Sequence, residues 1–322
     1  MLFISEEESS ALISHEMAYI AIRNAFIASA HPESRIFKVV QGQGSNPINT
    51  FSIKASATEK LAGLKVGSYW TENEAKCLPR HNSLILLLDQ NCGKAGVAIE
   101  AGLVNAYRTA AADAVATDLL ARKNATVLTI FGTGHQAYYE CTALARVRKI
   151  KQVIVVGRNK NHARKLVTKL EKSGISASIE EAEKGCLSAD IIVTATSSRT
   201  PLFDAGWVKP GTHISAMGAD AQGKQELPRE LYATARLYCD LTEQSRLIGE
   251  FQHVPRHIGL TEISDVIDGT HSGRNSADEI TIFDSSGISL QDLFIGQAVF
   301  DAWKTSIQAR RADRKAGRHG SC

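Results

Sequence analysis

The spacing of hydrophobic positions changes character along the chain. Ser5 followed by Glu8 forms a capping-box pattern, and Ala11 to Ala30 then runs at helical spacing, predicting one helix that His31-Pro32 ends. From Ile36 to Asp89 the texture shortens to strands: FKVV, TFSIKAS, LKVGSYW and SLILLLD, separated by Gly, Asn and Pro. Asn91-Cys92-Gly93-Lys94 has the chemistry of a hairpin turn, and an Ala-rich stretch from about Asn105 to Leu120 predicts a long helix. Beyond it, strands and helices alternate. VLTIF, QVIVV, SASIE, ADIIVTAT, THISAMGA and RLYCDL predict strands. His135–Lys149, Asn161–Ser173 and a short segment near Glu183 predict helices. His253 to Gly273 is polar and predicts irregular chain; EITIFDSSG predicts a strand and turn, and Leu290 to Arg310 a terminal helix.

Alternating strand and helix imply a parallel sheet with helices on both faces. The predicted fold class is α/β: a Rossmann doubly wound parallel sheet over residues 121–287, plus a second α/β domain made of residues 1–120 and 288–322. The strand-rich 36–89 segment has too little helix to cover both faces of its sheet, which predicts pairing into a homodimer.

Composition narrows the function classes. Apolar residues make up 43% of the chain and charged residues 22%, which fits a globular protein with sizeable cores. No stretch approaches the ~18 apolar residues of a membrane span. Glu6, Glu7 and Glu8 stand where an export signal needs an apolar run, so a cytoplasmic location is expected. The net charge is +3, but five Lys/Arg and one Asp crowd Arg310 to Cys322, leaving the body slightly acidic. That excludes a basic nucleic-acid groove and marks the tail as a solvated helix end or a contact for an acidic partner. The six cysteines are scattered, without metal-ligand spacing, so neither a disulfide framework nor a metal site is expected; Cys141 and Cys239 fall in apolar stretches and are expected in the core.

The sharpest motif is VLTIFGTGHQA, residues 127–137. Gly132 permits a tight turn after the strand, and Gly134 lets a pyrophosphate approach the backbone. Ala137 allows close helix packing, and the helix N-terminus stabilises the phosphate charge. Thr133, His135 and Gln136 complete the turn. The second strand ends in Arg158, Asn159 and Lys160, where an NAD-selective site would place an acidic residue for the ribose. Two cations there suit a 2′-phosphate, pointing to NAD(P)H with a lean to NADP(H); the alternative is a solvated basic turn. ATSSRTPLF, with Thr196 and Ser197, lies past the fourth strand at the edge where the cofactor belongs.

In order along the chain, GLKVGSYW (63–70), NAYRTAAADAVAT (105–117), GTGHQA, AMGADAQGKQEL (216–227) and TIFDSSGISLQDL (281–293) resemble the motifs of the ornithine cyclodeaminase/mu-crystallin family over nearly the whole chain. With GEFQH (249–253), they look most like its branch that reduces iminosuccinate. The resemblance implies a substrate-binding and dimerisation domain beside the Rossmann domain, with Met217 and Gly218 beside the cofactor. It implies that Lys65 and Arg108 bind a substrate carboxylate, Lys65 also serving catalysis, and that Asp220 is the acid/base residue. A guanidinium gripping a carboxylate with two bonds fits that role. Each residue has a plainer alternative: Lys65 a strand-edge lysine, Arg108 a helix ion-pair partner, Asp220 a cap for a helix after Gly223. Many members carry a further Arg in the strand matching FKVVQGQG, where this chain has Gln41 and Gln43; Lys54 on the next strand is the candidate replacement. His81, in the same region, is equally open to a structural role.

The implied reaction is reduction of a small α-imino acid to the L-amino acid: iminosuccinate to aspartate, or a cyclic imine such as pyrroline-2-carboxylate to proline. Two alternatives stand beside it: ornithine cyclodeaminase, and a mu-crystallin-like NADP-binding protein with little turnover.

Overall fold

The computed structural model describes residues 1–319, with side chains through residue 309. The cationic tail side chains from Arg310 onward, and Cys322, lie outside the described residues. The chain divides into two compact units, residues 1–108 with 289–322 and residues 109–288. The division falls inside the helix Gly102–Leu120, earlier than the sequence boundary drawn near residue 120.

The first unit is a mixed seven-stranded sheet. Its order is Leu2–Ile4, Ala95–Glu100, His81–Leu88, Ala62–Tyr69, Thr50–Ala57 and Arg35–Ile36, with Val40–Gln43 also on Thr50–Ala57. Only the Leu2–Ile4 pairing is parallel. Register places Lys54, Lys65, Ile85 and Ile99 in one row across four strands, so all four share a face. The long helix Ser289–His319 packs on that face. A Cβ on Gly296 would come within 2.9 Å of Ile85, and Leu293 lies over Gly63.

Several sequence expectations need correction here. The first helix is two, Glu6–Leu12 and His15–Ser29, because Ser14 starts a second N-cap by accepting from the Met17 amide. The Ser5/Glu8 capping box forms as expected. FKVV is not one strand; the chain bends between Arg35–Ile36 and Val40–Gln43. Two strands were missed, Leu2–Ile4 and Ala95–Glu100, which pair with each other. The Ala-rich helix starts at Gly102, where the Glu6 carboxylate accepts from the Gly102 and Leu103 amides, both at 2.8 Å. A cap supplied from 96 residues away leaves no local signal.

The second unit is an eight-stranded sheet, parallel throughout. Its order is Ala177–Ile179, Gln152–Val156, Val127–Phe131, Ile191–Thr194, His213–Ala216, Thr281–Asp284, Arg236–Cys239 and Thr261–Glu262. The central strands read as continuous apolar runs because helices cover both faces. Strand order reverses at Val127–Phe131, the topological switch point where such sheets open a crevice at their carboxyl ends. The segment expected to be irregular carries Thr261–Glu262 and a short helix, Ile263–Asp268. Cys141 and Cys239 are buried as expected, and burial pushes both thiols up.

Candidate active site

The chemistry-bearing residues form two groups, one in each unit. In the first unit, the buried charged side chains among the described residues are Lys54, Lys65, Arg108 and Asp292. Lys65 donates to Asp292 Oδ1 at 2.8 Å and to Asn105 Oδ1 at 3.1 Å. Arg108 places Nε and Nη2 on the same Asn105 oxygen, at 3.0 and 2.8 Å. Its Nη1 lies 3.3 Å from Gln291 Oε1, and its Nε 3.3 Å from Asp292. Lys54 stands directly opposite Lys65 on the neighbouring strand. Three cations therefore surround one carboxylate in the interior. Burial alone would raise Asp292, but Lys65, Arg108 and Lys54 hold it below the usual carboxylate range. Burial, then the Arg108 charge, bring Lys65 down to about 7 against the opposing pull of Asp292. Asp292 Oδ2 and Gln291 Nε2 have no hydrogen-bond partner among the described atoms.

This geometry answers the plainer alternatives. Lys65 lies on an interior strand and is 3% exposed, so it is no strand-edge lysine. Arg108 bonds along its own helix to Asn105, yet also reaches Gln291 and Asp292 on the terminal helix. Gln41 pairs with Ser52 and shares the Lys54/Lys65 face, so an uncharged amide stands where many relatives carry the extra Arg. His81 is exposed at the start of its strand. Asp292, Gln291 and Asn105 were not singled out by sequence reasoning, although all three lie inside the quoted motifs 105–117 and 281–293.

In the second unit, Gly132 has φ +122°, and a Cβ there would meet the Ala195 carbonyl oxygen at 2.6 Å; only glycine serves. Gly134 is the N-cap of the helix His135–Val147, where no side chain caps the helix and the space a Cβ would take is open. A helix N-terminus with no side-chain cap, beside open space, fits a pyrophosphate, and Ala137 is fully buried as close packing requires. Gln136 donates to Glu140 at 2.7 Å, and the His135 ring lies 4.9 Å from Tyr139. Burial, then Lys169, lower His135 below its ordinary value.

At the second strand's end the basic turn is less uniform than its sequence. Asn159 Oδ1 caps the next helix, accepting from Asn161 and His162, and Lys160 is ion-paired with Glu181. The reading of two cations without a carboxylate is corrected: Glu181 supplies one. Arg158 is exposed and has no side-chain partner among the described residues.

Past the fourth strand, Thr196 gives its amide and hydroxyl to Glu226 Oε1, at 2.7 and 2.6 Å, and Ser197 is exposed. Met217 is buried, its amide on Thr194 O, and the Gly218 amide donates to Glu226 Oε2 at 2.9 Å. Asp220 is largely exposed and ion-paired at 2.5 Å with Lys224, which also donates to Gly218 O. No helix follows Gly223 directly, so Asp220 is not a helix cap. Glu226 was another omission; the only sequence signal was its place in GKQEL.

With both groups in view, a family model described as the ornithine cyclodeaminase/mu-crystallin family matches residues 17–306. The chain belongs to that family. It is an NAD(P)-dependent oxidoreductase acting on carbon–nitrogen bonds. It is 36% identical to the iminosuccinate reductase of Paracoccus denitrificans, over 94% of this chain and 97% of that one. The structure of that reductase with NAD+ matches with a TM-score of 0.89. An archaeal alanine dehydrogenase dimer with bound NAD also gives 0.89, at 34% identity over 95% of this chain and 97% of that one. The Thermococcus litoralis pyrroline-2-carboxylate reductase, with NADH and L-proline, gives 0.87, at 27% identity over 94% and 97%. Among the described residues, no helix is long and apolar enough to cross a membrane, and no group of His, Cys, Asp or Glu is arranged to hold a metal ion.

Proposed function

We propose that the protein reduces a small α-imino acid to the corresponding L-amino acid, with iminosuccinate, which yields aspartate, as the preferred substrate. The observation that carries this reading is that Lys65 and Arg108, both buried, share the single carboxylate of Asp292, with Lys54 directly opposite Lys65. Two buried cations on one carboxylate suit a further anionic partner. A dicarboxylate would offer its second carboxylate to Lys54, on the neighbouring strand. The Paracoccus denitrificans relative is itself an iminosuccinate reductase. A cyclic imine such as pyrroline-2-carboxylate is the second substrate to test, since other relatives reduce it. Ornithine cyclodeamination fits less well: the distal amine of ornithine wants a carboxylate, and Asp292 is already held by three cations.

The chain's own groups divide the work. Arg108 and Lys65 hold the substrate carboxylate and orient the imine carbon, and Lys54 serves a second carboxylate. Asp220, oriented by Lys224, holds the proton at the imine nitrogen. Gly132, Thr133, Gly134, His135 and Gln136 receive the cofactor pyrophosphate, while Thr196, Ser197, Met217 and Gly218 receive its nicotinamide end. When bound, NAD(P)H supplies the reducing electron pair. Arg158, the uncommitted cation of the turn, supports a preference for NADPH over NADH. A panel of imino acids with each cofactor, followed by nicotinamide absorbance, tests the whole reading; no turnover of iminosuccinate or of a cyclic imine overturns it.

A homodimer belongs to the same proposal. On the sheet face opposite Lys65, Val40, Ile53, Val66 and Leu84 form one apolar row and Ala55, Leu64, Leu86, Ala98 and Phe3 a second. Val40 and Phe3 are more than half exposed. Apolar surface of that extent suits a second copy of the chain.

A further inference from the structure

We propose that Glu226 is a positioning residue for the reaction: its one carboxylate fastens the loop after strand Ile191–Thr194 to the loop after strand His213–Ala216. The inference rests on the reading of those loops as the cofactor's. Its basis is geometric. Glu226 is fully buried and accepts four hydrogen bonds. Oε1 takes the Thr196 amide and hydroxyl at 2.7 and 2.6 Å; Oε2 takes the Thr194 hydroxyl at 2.8 Å and the Gly218 amide at 2.9 Å. Each oxygen thus holds a backbone amide from a different loop. The loops meet closely: a Cβ on Gly218 would lie 2.3 Å from Thr196 O and 2.6 Å from both Glu226 oxygens.

The clamp is itself held. Glu250 accepts from the Glu226 and Leu227 amides at 2.8 to 3.1 Å and from the Tyr232 hydroxyl at 2.8 Å, fixing the backbone that carries Glu226. Lys224, two residues before Glu226, bonds to Gly218 O and to Asp220. Residues 217–220 are therefore fastened at both the Gly218 amide and the Gly218 carbonyl, and Asp220 follows two residues on. A carboxylate suits the place because both of its oxygens accept. An amide of the same size offers one accepting oxygen, and its NH2 group would face a backbone N–H.

The test compares purified Glu226→Gln, Glu226→Asp and Thr194→Val with the native chain. Nicotinamide fluorescence gives the affinity for NADH and NADPH without any imine substrate. Steady-state rates give kcat and KM, and thermal melts with circular dichroism report the fold. Glu226→Gln is expected to bind both cofactors at least about tenfold more weakly and to lower kcat at saturating cofactor, with the imino-acid KM little changed. Glu226→Asp, which keeps two accepting oxygens, is expected to recover part of both losses. Thr194→Val removes one hydroxyl bond and leaves both loop amides on the carboxylate, so it is expected to fall between native and Glu226→Gln. It carries the test if Glu226→Gln does not fold. A folded Glu226→Gln with native cofactor affinity and native kcat overturns the proposal. So does a Thr194→Val that melts earlier but binds cofactor and turns over as the native chain does. If the native chain itself binds neither cofactor, the underlying reading of the loops fails instead.

Discussion

The two units bury charge of mainly opposite sign, acids predominating in one and cations in the other. In residues 109–288 the buried acids Asp113, Glu140, Glu226, Asp240, Glu250 and Asp284 serve largely as acceptors for backbone amides and hydroxyls. Asp240 takes the Leu241 and Gly287 amides and the Ser286 hydroxyl, and Asp284 the Phe251 amide and the Ser245 hydroxyl. Glu226, Asp240, Glu250 and Asp284 stand beside strand ends and loops, where backbone donors are left over, whereas Asp113 and Glu140 lie within helices. Burial pushes Asp113 up to about 6 and Glu226 up to about 7, and raises Glu250 and Asp284 as well. In the first unit the buried charges are mainly cations, and Lys65 and Arg108 share the one carboxylate of Asp292. Acids that accept several donors hold a framework; cations that share one carboxylate are proposed to take a ligand. A charged group's surroundings, more than its type, separate scaffold from binding site.

Asp220 is the exception that breaks the pattern most sharply, an acid of the second unit that is exposed and assigned to chemistry. Asp220→Asn is expected to lower kcat by ~10²–10⁴ with little change in KM, because the proton it holds moves only during reaction. Near-native kcat on a verified substrate would place Asp220 among the framework acids after all.

Arg108→Ala tests the other half of the comparison. Loss of one charged partner costs ~2–5 kcal/mol, or roughly 30- to 4000-fold in kcat/KM, expected mainly in KM. Cofactor binding by fluorescence should persist. If it vanishes, Arg108 belongs to the framework and the division of roles between the units fails. This role was legible in the sequence through the RTAA motif, but its partners were not: Asn105 precedes it by one helical turn, whereas Gln291 and Asp292 are more than 180 residues away.

Lys65 sharpens the comparison through pH. Its folded value, about 7, lies below the ordinary lysine value of 10.5, so its charge is lost as pH rises through about 7 rather than above 10. The free-enzyme kcat/KM for a carboxylate substrate should therefore fall above about pH 7, approaching tenfold per unit. Lys65→Arg, which stays charged, should move that limb upward even at reduced activity. Stability moves the other way: the unfolded chain binds the extra proton between about 7 and 10.5, so the burial penalty of Lys65 eases and stability rises as pH rises through that window. A profile flat from pH 6 to 9 in the native enzyme, measured with one substrate, would show that Lys65 does not grip the carboxylate.

Smaller effects are expected at the surface. Arg158→Ala should weaken NADPH by about tenfold and NADH little, an effect of roughly 1.4 kcal/mol. Equal losses, or a native preference for NADH, would return the turn to a solvated basic loop. Leu84→Asp, on the apolar sheet face, should shift the protein toward monomer in light scattering while leaving cofactor binding intact. A native protein that is monomeric at micromolar concentration would remove the dimer.

By itself the sequence determined the features with short-range causes. The parallel sheet follows from strand and helix alternating along the chain, and the dinucleotide turn from Gly132, Gly134 and Ala137 within six residues. Lys65, Arg108 and Asp220 were singled out because each lies in a compact motif. Tertiary structure alone decided the rest. Leu2–Ile4 is a strand only because Ala95–Glu100 lies beside it, and the helix at Gly102 starts where it does because Glu6 caps it from a distant segment. Lys54 and Lys65 become one cluster through antiparallel register, with Asp292 brought to them by the terminal helix. Glu226 becomes a clamp only when two strand ends, far apart in sequence, present their amides to it. A capping pattern or glycine turn closes within a few residues and leaves a local trace. A buried charge is defined by whatever the fold sets around it, and those neighbours come from anywhere along the chain.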